Sequence, residues 1–281
     1  MTAVTDAAQL TGVSRTALVT LAARAAESGR SDALFSDEKA VEIANRLSVS
    51  FRRSRRDWIS QVGIAVRTRI LDDAASRFLA AHPKALVVNL GAGLCTRFFR
   101  IDNGEVEWID VDVPAVEPLW QRVIGSSNRH RFLAASVLEP AWLERLELAP
   151  DRPTLFIAEG LLMYFEERQV RTLLARLGRE RPGAELLAET LGPLLVRNSW
   201  LHPAIARTSV RFKWGVRSFA DVERWEVGAK FLEEWRCLDH YPDRWRWLRV
   251  AGRIPFVRDE LKIGRLLLGV PGAEANGDAR A

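Results

Sequence analysis

A short apolar run that leads into a glycine turn constrains the fold of this chain more than any other feature. Residues 85–90 read Ala-Leu-Val-Val-Asn-Leu and lead directly to Gly91 and Gly93. A second predicted strand, residues 107–111, leads to Asp112. Glycines let a backbone approach a ligand closely, and an acid about 20 residues later can accept hydrogen bonds from a ribose diol. The pattern predicts a nucleoside-binding site, with an ordinary strand–turn unit as the alternative.

The glycine turn argues against a dinucleotide or a nucleoside triphosphate as the ligand. A dinucleotide site requires a third small residue for tight helix–strand packing, and this position holds Thr96. No Gly-Lys-Ser/Thr sequence follows, so a P-loop is excluded. A nicotinamide-dependent oxidoreductase is therefore disfavoured. S-adenosylmethionine suits the turn better, because it carries a ribose and an adenine but no phosphate.

Alternation of strand and helix patterns predicts an α/β fold with a parallel sheet covered on both faces. Strands are expected at residues 85–90, 107–111, 131–135, 154–158, 185–190, 234–240 and 263–270, and helices at 115–124, 166–178 and 243–253. Residues 1–82 are expected to form an N-terminal helical region and residues 83–270 the core. Within that core, the Trp-, Arg- and Pro-rich residues 191–224 are expected to form a cap. The Gly- and Ala-rich residues 271–281 are expected to be disordered.

The clearest predicted helix, residues 61–81, has a charge on its apolar face. At 100° per residue, one apolar stripe contains Val66, Ile70, Leu71, Ala74 and Phe78. Arg67 falls in the middle of this stripe, whereas Arg69 points the opposite way. A buried charge needs a partner. Arg67 is therefore expected either in a core ion pair or in contact with a ligand.

Four sequence blocks resemble the leucine carboxyl methyltransferase family, in particular its bacterial branch of polyketide O-methyltransferases. The blocks are Val-Arg-Thr-Arg at residues 66–69, the glycine turn at 88–97, Asp-Val-Asp-Val-Pro at 110–114, and Leu-Phe-Ile-Ala-Glu-Gly-Leu-Leu-Met-Tyr at 155–164. The similarity extends over roughly residues 18–270. It implies a class I methyltransferase fold, Rossmann-like with a seven-stranded sheet, and S-adenosylmethionine as the methyl donor.

The resemblance also implies roles for individual residues. Arg67 would face the carboxylate of the donor, Asp112 its ribose and Glu159 another part of the cofactor. The remaining cofactor-binding residues expected from the family are Gly91, Gly93, Asp110, Ser136 and Val137, the last two beside the adenine. Tyr164 would border the reacting methyl group or pack in the core. Cys95 stands where relatives usually carry Asp, and it is either a small-residue replacement or an activated thiolate at a helix start.

The methyl acceptor is expected to be a small molecule that is aromatic or polyketide-like. We take His202 and Tyr164 as candidate catalytic residues, and Arg207, Lys213 and Trp214 on the cap as candidate substrate contacts. No His–Asp pairing indicates a general base, which favours a carboxylate acceptor because a carboxylate is already ionised at neutral pH. A phenolic acceptor and a non-catalytic cofactor-binding module are the alternatives.

Composition argues against other classes of partner. The net charge is +5, but the arginines are spread along the chain and interleaved with acids, so a solvated surface is favoured over nucleic-acid binding. The mildly apolar residues 16–26 are too short to span a membrane and are interrupted by Arg24. Two cysteines and four histidines without metal-ligand spacing predict a reduced, cytoplasmic protein without a metal. Nothing indicates the oligomeric state.

Overall fold

The computed structural model describes residues 16–49, 58–146, 151–201 and 211–271. Their centre is one seven-stranded sheet with the strand order β3-β2-β1-β4-β5-β7-β6. The strands are β1 (Leu86–Leu90), β2 (Glu107–Asp112), β3 (His130–Ala134), β4 (Thr154–Ala158), β5 (Glu185–Leu191), β6 (Ala229–Arg236) and β7 (Leu261–Leu268). Strand β7 runs in the opposite direction to the other strands of this sheet and pairs antiparallel with both β5 and β6. This sheet agrees with the seven-stranded, Rossmann-like sheet that the family resemblance implied.

The described helices are α1 (Thr16–Ser28), α2 (Glu38–Arg46), α3 (Trp58–Ala81), α4 (Arg97–Ile101), α5 (Glu117–Val123), α6 (Glu167–Glu180), α7 (Pro193–Arg197), α8 (Leu248–Ala251) and α9 (Pro255–Arg258). Apolar side chains of α6 pack on one face of the sheet, and those of α3 pack on the other. Both β1 and β4 are buried along their whole length because they lie between these two layers.

Helix α3 confirms the predicted apolar stripe, whose five residues are all buried, and begins three residues earlier than predicted. Arg69 lies on the opposite face, where its guanidinium pairs with Asp73 at 2.9 Å.

The last third of the chain departs from the predicted elements. Strand β6 begins five residues before the predicted strand and ends at Arg236, where a 3-10 turn begins. The helix expected at residues 243–253 is broken, because Arg246 has a φ of 51° and the chain continues as two single turns, α8 and α9. Trp245 fixes this break: it is buried, and its indole N–H donates to the carbonyls of Cys237 and His240.

The predicted domain division stays a prediction. Residues 191–224 contain α7, a 3-10 turn at Ser199–Leu201 and all but the last residue of another at Phe219–Trp225, but residues 202–210 lie outside the described residues. The predicted disordered tail also lies outside them, except for Pro271. Among the described helices, none is long and apolar enough to cross a membrane.

Candidate active site

A cavity of about 550 Å³ opens at the carboxyl ends of β1, β2, β4 and β5, where open α/β sheets bind their ligands. We call two parts of its wall the polar half and the apolar half. The polar half contains Arg24, Arg67, Asn89, Gly91, Gly93, Cys95, Asp112, Glu159 and Glu189, and the apolar half contains Ile59, Ile64, Leu191, Leu194, Leu195, Phe212, Leu238, Leu248, Val257, Glu260 and Leu261. Met163 and Tyr164 also line the cavity and pack with Leu191 and Phe212 of the apolar half.

The glycine turn forms part of the polar half, and its glycines are required by both conformation and space. Gly91 and Gly93 have φ angles of 64° and 54°, which side-chain-bearing residues rarely adopt. A Cβ atom at Gly93 would lie 2.8 Å from the Cβ of Ala17 in α1. The bare backbone at Gly93 therefore allows α1 to pack directly over the turn.

Asp112 and Asp110, both expected to bind the cofactor, lie in different surroundings. The Asp112 carboxylate lines the cavity and accepts hydrogen bonds from the backbone N–H groups of Gly93 and Val113, both at 2.7 Å. Burial raises the pKa of Asp112, and the two backbone N–H groups oppose that shift.

The structure corrects the expectation that Asp110 contacts the cofactor. Asp110 is fully buried beneath the cavity and does not line it. Its two carboxylate oxygens meet four side-chain nitrogens, those of Asn89, Trp108, Trp120 and His130, at 2.8–2.9 Å. Asp110 is on the same face of β2 as Asp112, but it lies two residues deeper in the sheet, so its carboxylate does not reach the cavity. Asn89 lines the cavity and donates to Asp110, so it connects Asp110 to the site.

Arg67 and Glu159 meet in a buried ion-pair network that also contains Glu189, which the sequence analysis missed. Arg67 Nε lies 3.0 Å from Glu159 Oε1, and Arg67 Nη1 lies 2.8 Å from Glu189 Oε1. Burial opposes the charge on Arg67, but Glu189 and Glu159 outweigh it and raise the pKa of the guanidinium. Burial also opposes the charge on Glu159, but Arg97 and Arg67 hold its pKa far below the usual range.

The pKa of Glu189, the other carboxylate of this network, is shifted in the opposite direction to that of Glu159. Burial raises the pKa of Glu189, and Arg67 offsets this only in part. Its second oxygen accepts the Gly160 backbone N–H at 2.7 Å. The position of Glu189 near the carboxyl end of the fifth predicted strand was the signal that could have identified it.

Further ion pairs connect the polar half to the N-terminal helices. Arg97 bridges Glu159 and Asp72, each at 2.7 Å, and Arg100 pairs with both Asp72 and Asp37. Arg24 of α1, which lines the cavity, donates to the Leu94 carbonyl at 2.8 Å. The first three helices are thus tied to the glycine turn by buried charges.

Ser136 and Val137 follow β3 as predicted, but the structure does not bring them to the cavity. Val137 is buried in the core, and its carbonyl accepts the indole N–H of Trp142. The Ser136 hydroxyl accepts the backbone N–H of Leu138. The expectation that these two residues contact the adenine stays a prediction, since Ser136 is partly exposed after β3 and only Val137 packs in the core.

Tyr164 lines the cavity, with its ring 5.5 Å from that of Phe212. Burial raises the pKa of Tyr164 to about 12, so the phenol keeps its proton at neutral pH. Burial likewise raises the pKa of Cys95, which favours the small-residue interpretation over an activated thiolate.

The structure separates the expected substrate residues. Lys213 is half-exposed at the surface and pairs with Glu166 at 3.0 Å. Trp214 is buried in the core beside Trp225 and does not line the cavity, so its expected stacking on a substrate is corrected. His202 and Arg207 lie outside the described residues. In the part of the chain that the structure describes, no group of three His, Cys, Asp or Glu side chains is arranged to hold a metal ion.

Comparison with known proteins places this site in a family. Residues 17–178, more than half of the chain, match the leucine carboxyl methyltransferase family. The tetracenomycin polyketide synthesis O-methyltransferase TcmP of Streptomyces glaucescens is 35% identical over 232 residues, which cover 82% of this chain and 85% of TcmP. An S-adenosyl-L-methionine-dependent methyltransferase of Gibberella zeae, dpfgK, is 25% identical over 91% of this chain and 92% of its own length.

A solved structure supports the fold. The DUF574 family protein of Streptomyces avermitilis superposes with a TM-score of 0.58 at 15% identity, covering 88% of this chain and 96% of that one. The sequence matches and the position of the cavity at the carboxyl ends of the strands are consistent with the same family. The chain belongs to the leucine carboxyl methyltransferase family of S-adenosylmethionine-dependent methyltransferases.

Proposed function

We propose that this protein transfers the methyl group of S-adenosylmethionine to an oxygen, favouring a carboxylate oxygen, of a polyketide-like or aromatic small molecule. The observation that carries the proposal is a single cavity in which the polar half, at the strand ends, continues into the apolar half. The similarity to a polyketide O-methyltransferase supports both the oxygen acceptor and the class of substrate.

The residues of the polar half fit the donor. The Asp112 carboxylate can accept hydrogen bonds from a ribose diol, and the bare backbone at Gly91 and Gly93 permits close approach. The ion pairs of Arg67 use Nε and Nη1, so Nη2 can donate to the donor's carboxylate. Glu159, held ionised by two arginines, can accept from the donor's amino group. The donor, when bound, supplies a methyl group already activated by its sulfonium.

The remaining task of the protein is alignment and exclusion of water. An apolar wall holds a planar acceptor in position and keeps water from the reacting oxygen, and such positioning lowers the barrier for in-line displacement. A carboxylate acceptor needs no base. A phenol would gain from a base, and Tyr164 cannot serve near neutral pH because its pKa is raised to about 12. This favours the carboxylate.

Incubation with methyl-labelled S-adenosylmethionine and a panel of aromatic carboxylic acids and phenols tests the proposal. We expect label in a product that mild alkali cleaves, as a methyl ester is. Alkali-stable transfer to a phenol would support the phenolic alternative. Donor binding without transfer to any acceptor would indicate a non-catalytic module, and transfer to nitrogen or carbon, or only to a protein C-terminus, would refute the proposal.

A further inference from the structure

We propose that Glu260 is a specificity-determining residue that binds a hydroxyl group of the acceptor, remote from the oxygen that receives the methyl group. The inference rests on the proposed function and names a feature of the substrate: an aromatic compound with a hydroxyl group at the end away from the donor. Glu260 lines the apolar half of the cavity and is only 9% exposed.

Four hydrogen bonds to the backbone of other residues fix Glu260 in place, one of them from its own N–H to the Val257 carbonyl at 3.3 Å. The Glu260 carbonyl accepts the Gly192 N–H at 3.0 Å, one step beyond the Leu191–Leu261 pair of β5 and β7. Its carboxylate oxygens accept the N–H groups of Leu194 at 3.3 Å and Leu195 at 2.6 Å. These N–H groups begin α7, where a negative charge is stabilised. Glu260 is therefore held as a rigid part of the cavity wall.

A glycine makes room for this carboxylate. A Cβ atom at Gly192 would lie 2.4 Å from Glu260 Oε1 and 2.6 Å from its Cδ. Gly192 has an ordinary φ of −77°, so space explains this glycine better than backbone conformation does. The missing side chain at Gly192 thus leaves space for an acid in a part of the wall that is lined largely by leucines.

The Glu260 carboxylate keeps capacity for a ligand. A carboxylate has about four acceptor positions, and two are used by Leu194 and Leu195. Within the described residues, no Lys or Arg side chain forms an ion pair with Glu260 within 4.0 Å. A hydroxyl group of the acceptor can donate a hydrogen bond to one of the remaining acceptor positions, whereas a second carboxylate would be repelled.

Distance along β5 separates this group from the reaction. Glu189, in the polar half, precedes Gly192 by three residues, about 10 Å along an extended strand. A hydroxyl group at Glu260 is therefore about two aromatic rings away from the donor end, so Glu260 selects and orients the acceptor without touching the reacting oxygen.

Calorimetric binding to the protein saturated with S-adenosylhomocysteine tests the assignment without measuring turnover. The probes are naphthoic acid and two isomeric hydroxynaphthoic acids. One isomer has its hydroxyl at the far end of the second ring, and the other has it next to the carboxylate. We expect the far-hydroxyl isomer to bind about tenfold more tightly than naphthoic acid, as a hydrogen bond to a charged group predicts. The near-hydroxyl isomer should gain little.

Glu260→Ala should abolish this preference, and Glu260→Gln, which keeps an acceptor oxygen, should retain part of it. Glu139→Gln, at an exposed acid outside the cavity, is the matched control and should leave the preference unchanged. Failure of the wild-type protein to prefer the far-hydroxyl isomer, or a preference that survives Glu260→Ala, overturns the assignment while the proposed methyl transfer stands. Failure to bind S-adenosylhomocysteine would instead count against the proposed function itself.

Discussion

Arg67 of α3 lies 2.8 Å from Glu189 of β5, although 122 residues separate them in the chain. The same guanidinium reaches Glu159 at the end of β4, so one side chain ties a helix to two strand ends at the cavity. The position of Arg67 is therefore compatible with both interpretations offered for it, a core ion pair and a contact with a ligand. Arg67 is a buried, paired charge, and it lines the cavity where the donor's carboxylate is proposed to bind.

Replacing Arg67 with Ala should raise the dissociation constant of S-adenosylhomocysteine by at least about tenfold, because a charge-assisted bond to the donor's carboxylate is lost. Arg69→Ala is the control, since Arg69 is on the opposite face and pairs with Asp73. Calorimetry on both variants decides between the roles. Thermal denaturation must accompany it, because Arg67→Ala leaves two buried carboxylates without their shared partner. Equal, small effects of the two substitutions on binding would make Arg67 purely structural.

Asp112→Ala should weaken donor binding by about 1.5–3 kcal/mol, the range for a hydrogen bond to a charged group. The reason is that the Asp112 carboxylate lines the cavity beside Gly93, in position for a ribose diol. Asp151→Ala, at an exposed acid, provides the comparison. An unchanged dissociation constant in a folded Asp112→Ala protein would exclude the ribose contact.

Asp110→Asn should lower the free energy of unfolding. The replacement puts an amide N–H₂ group where a carboxylate oxygen now accepts from buried nitrogens, and a buried donor left without its acceptor costs about 1–3 kcal/mol. Urea denaturation should therefore show a much larger loss for Asp110→Asn than for Asp112→Asn. If Asp110→Asn lowered donor affinity without lowering stability, the structural role assigned here would be wrong.

Tyr164 should contribute no ionisation to the rate between about pH 6.5 and 9. Its pKa is raised from 10.0 to about 12 in the folded protein. Its contribution to stability is therefore fully present below pH 10 and is lost as the pH rises towards 12. With a carboxylate acceptor and rate-limiting chemistry, the profiles of the wild type and of Tyr164→Phe should both be nearly flat. A rise with pH in the wild type that Tyr164→Phe removes would restore Tyr164 as a general base.

Gly93→Ala should impair both folding stability and donor binding, because the new Cβ would lie 2.8 Å from that of Ala17 in α1. Gly104→Ala is the control that separates backbone strain from steric contact. Gly104 has a φ of 84°, but an added Cβ atom there would meet no atom within 4 Å. We expect both variants to lose about 1–2 kcal/mol of stability from the left-handed backbone. Only Gly93→Ala should also lower affinity for S-adenosylhomocysteine. Equal behaviour of the two would mean that the packing of α1 on the turn is unimportant.

The sequence predicted the central strands well because their signal is local. Strands β1 and β4 are short, largely apolar runs buried between helices, and the observed bounds of β1, β2 and β4 lie within one residue of the predicted ones. The late elements were displaced because their bounds depend on packing, as Trp245 shows where it breaks the expected helix.

The sequence by itself determined the class of fold, the family, the glycine turn and the position of Arg67 on a buried helix face, since these follow from periodicity and from contiguous motifs. Only the tertiary structure decided which polar residues reach the cavity. It placed Asp110 beneath the cavity and Trp214 in the core, and it brought Glu260 to the wall. These outcomes depend on the pairing of β5 with β7 and on the packing of helices from distant parts of the chain, and no local pattern encodes such contacts.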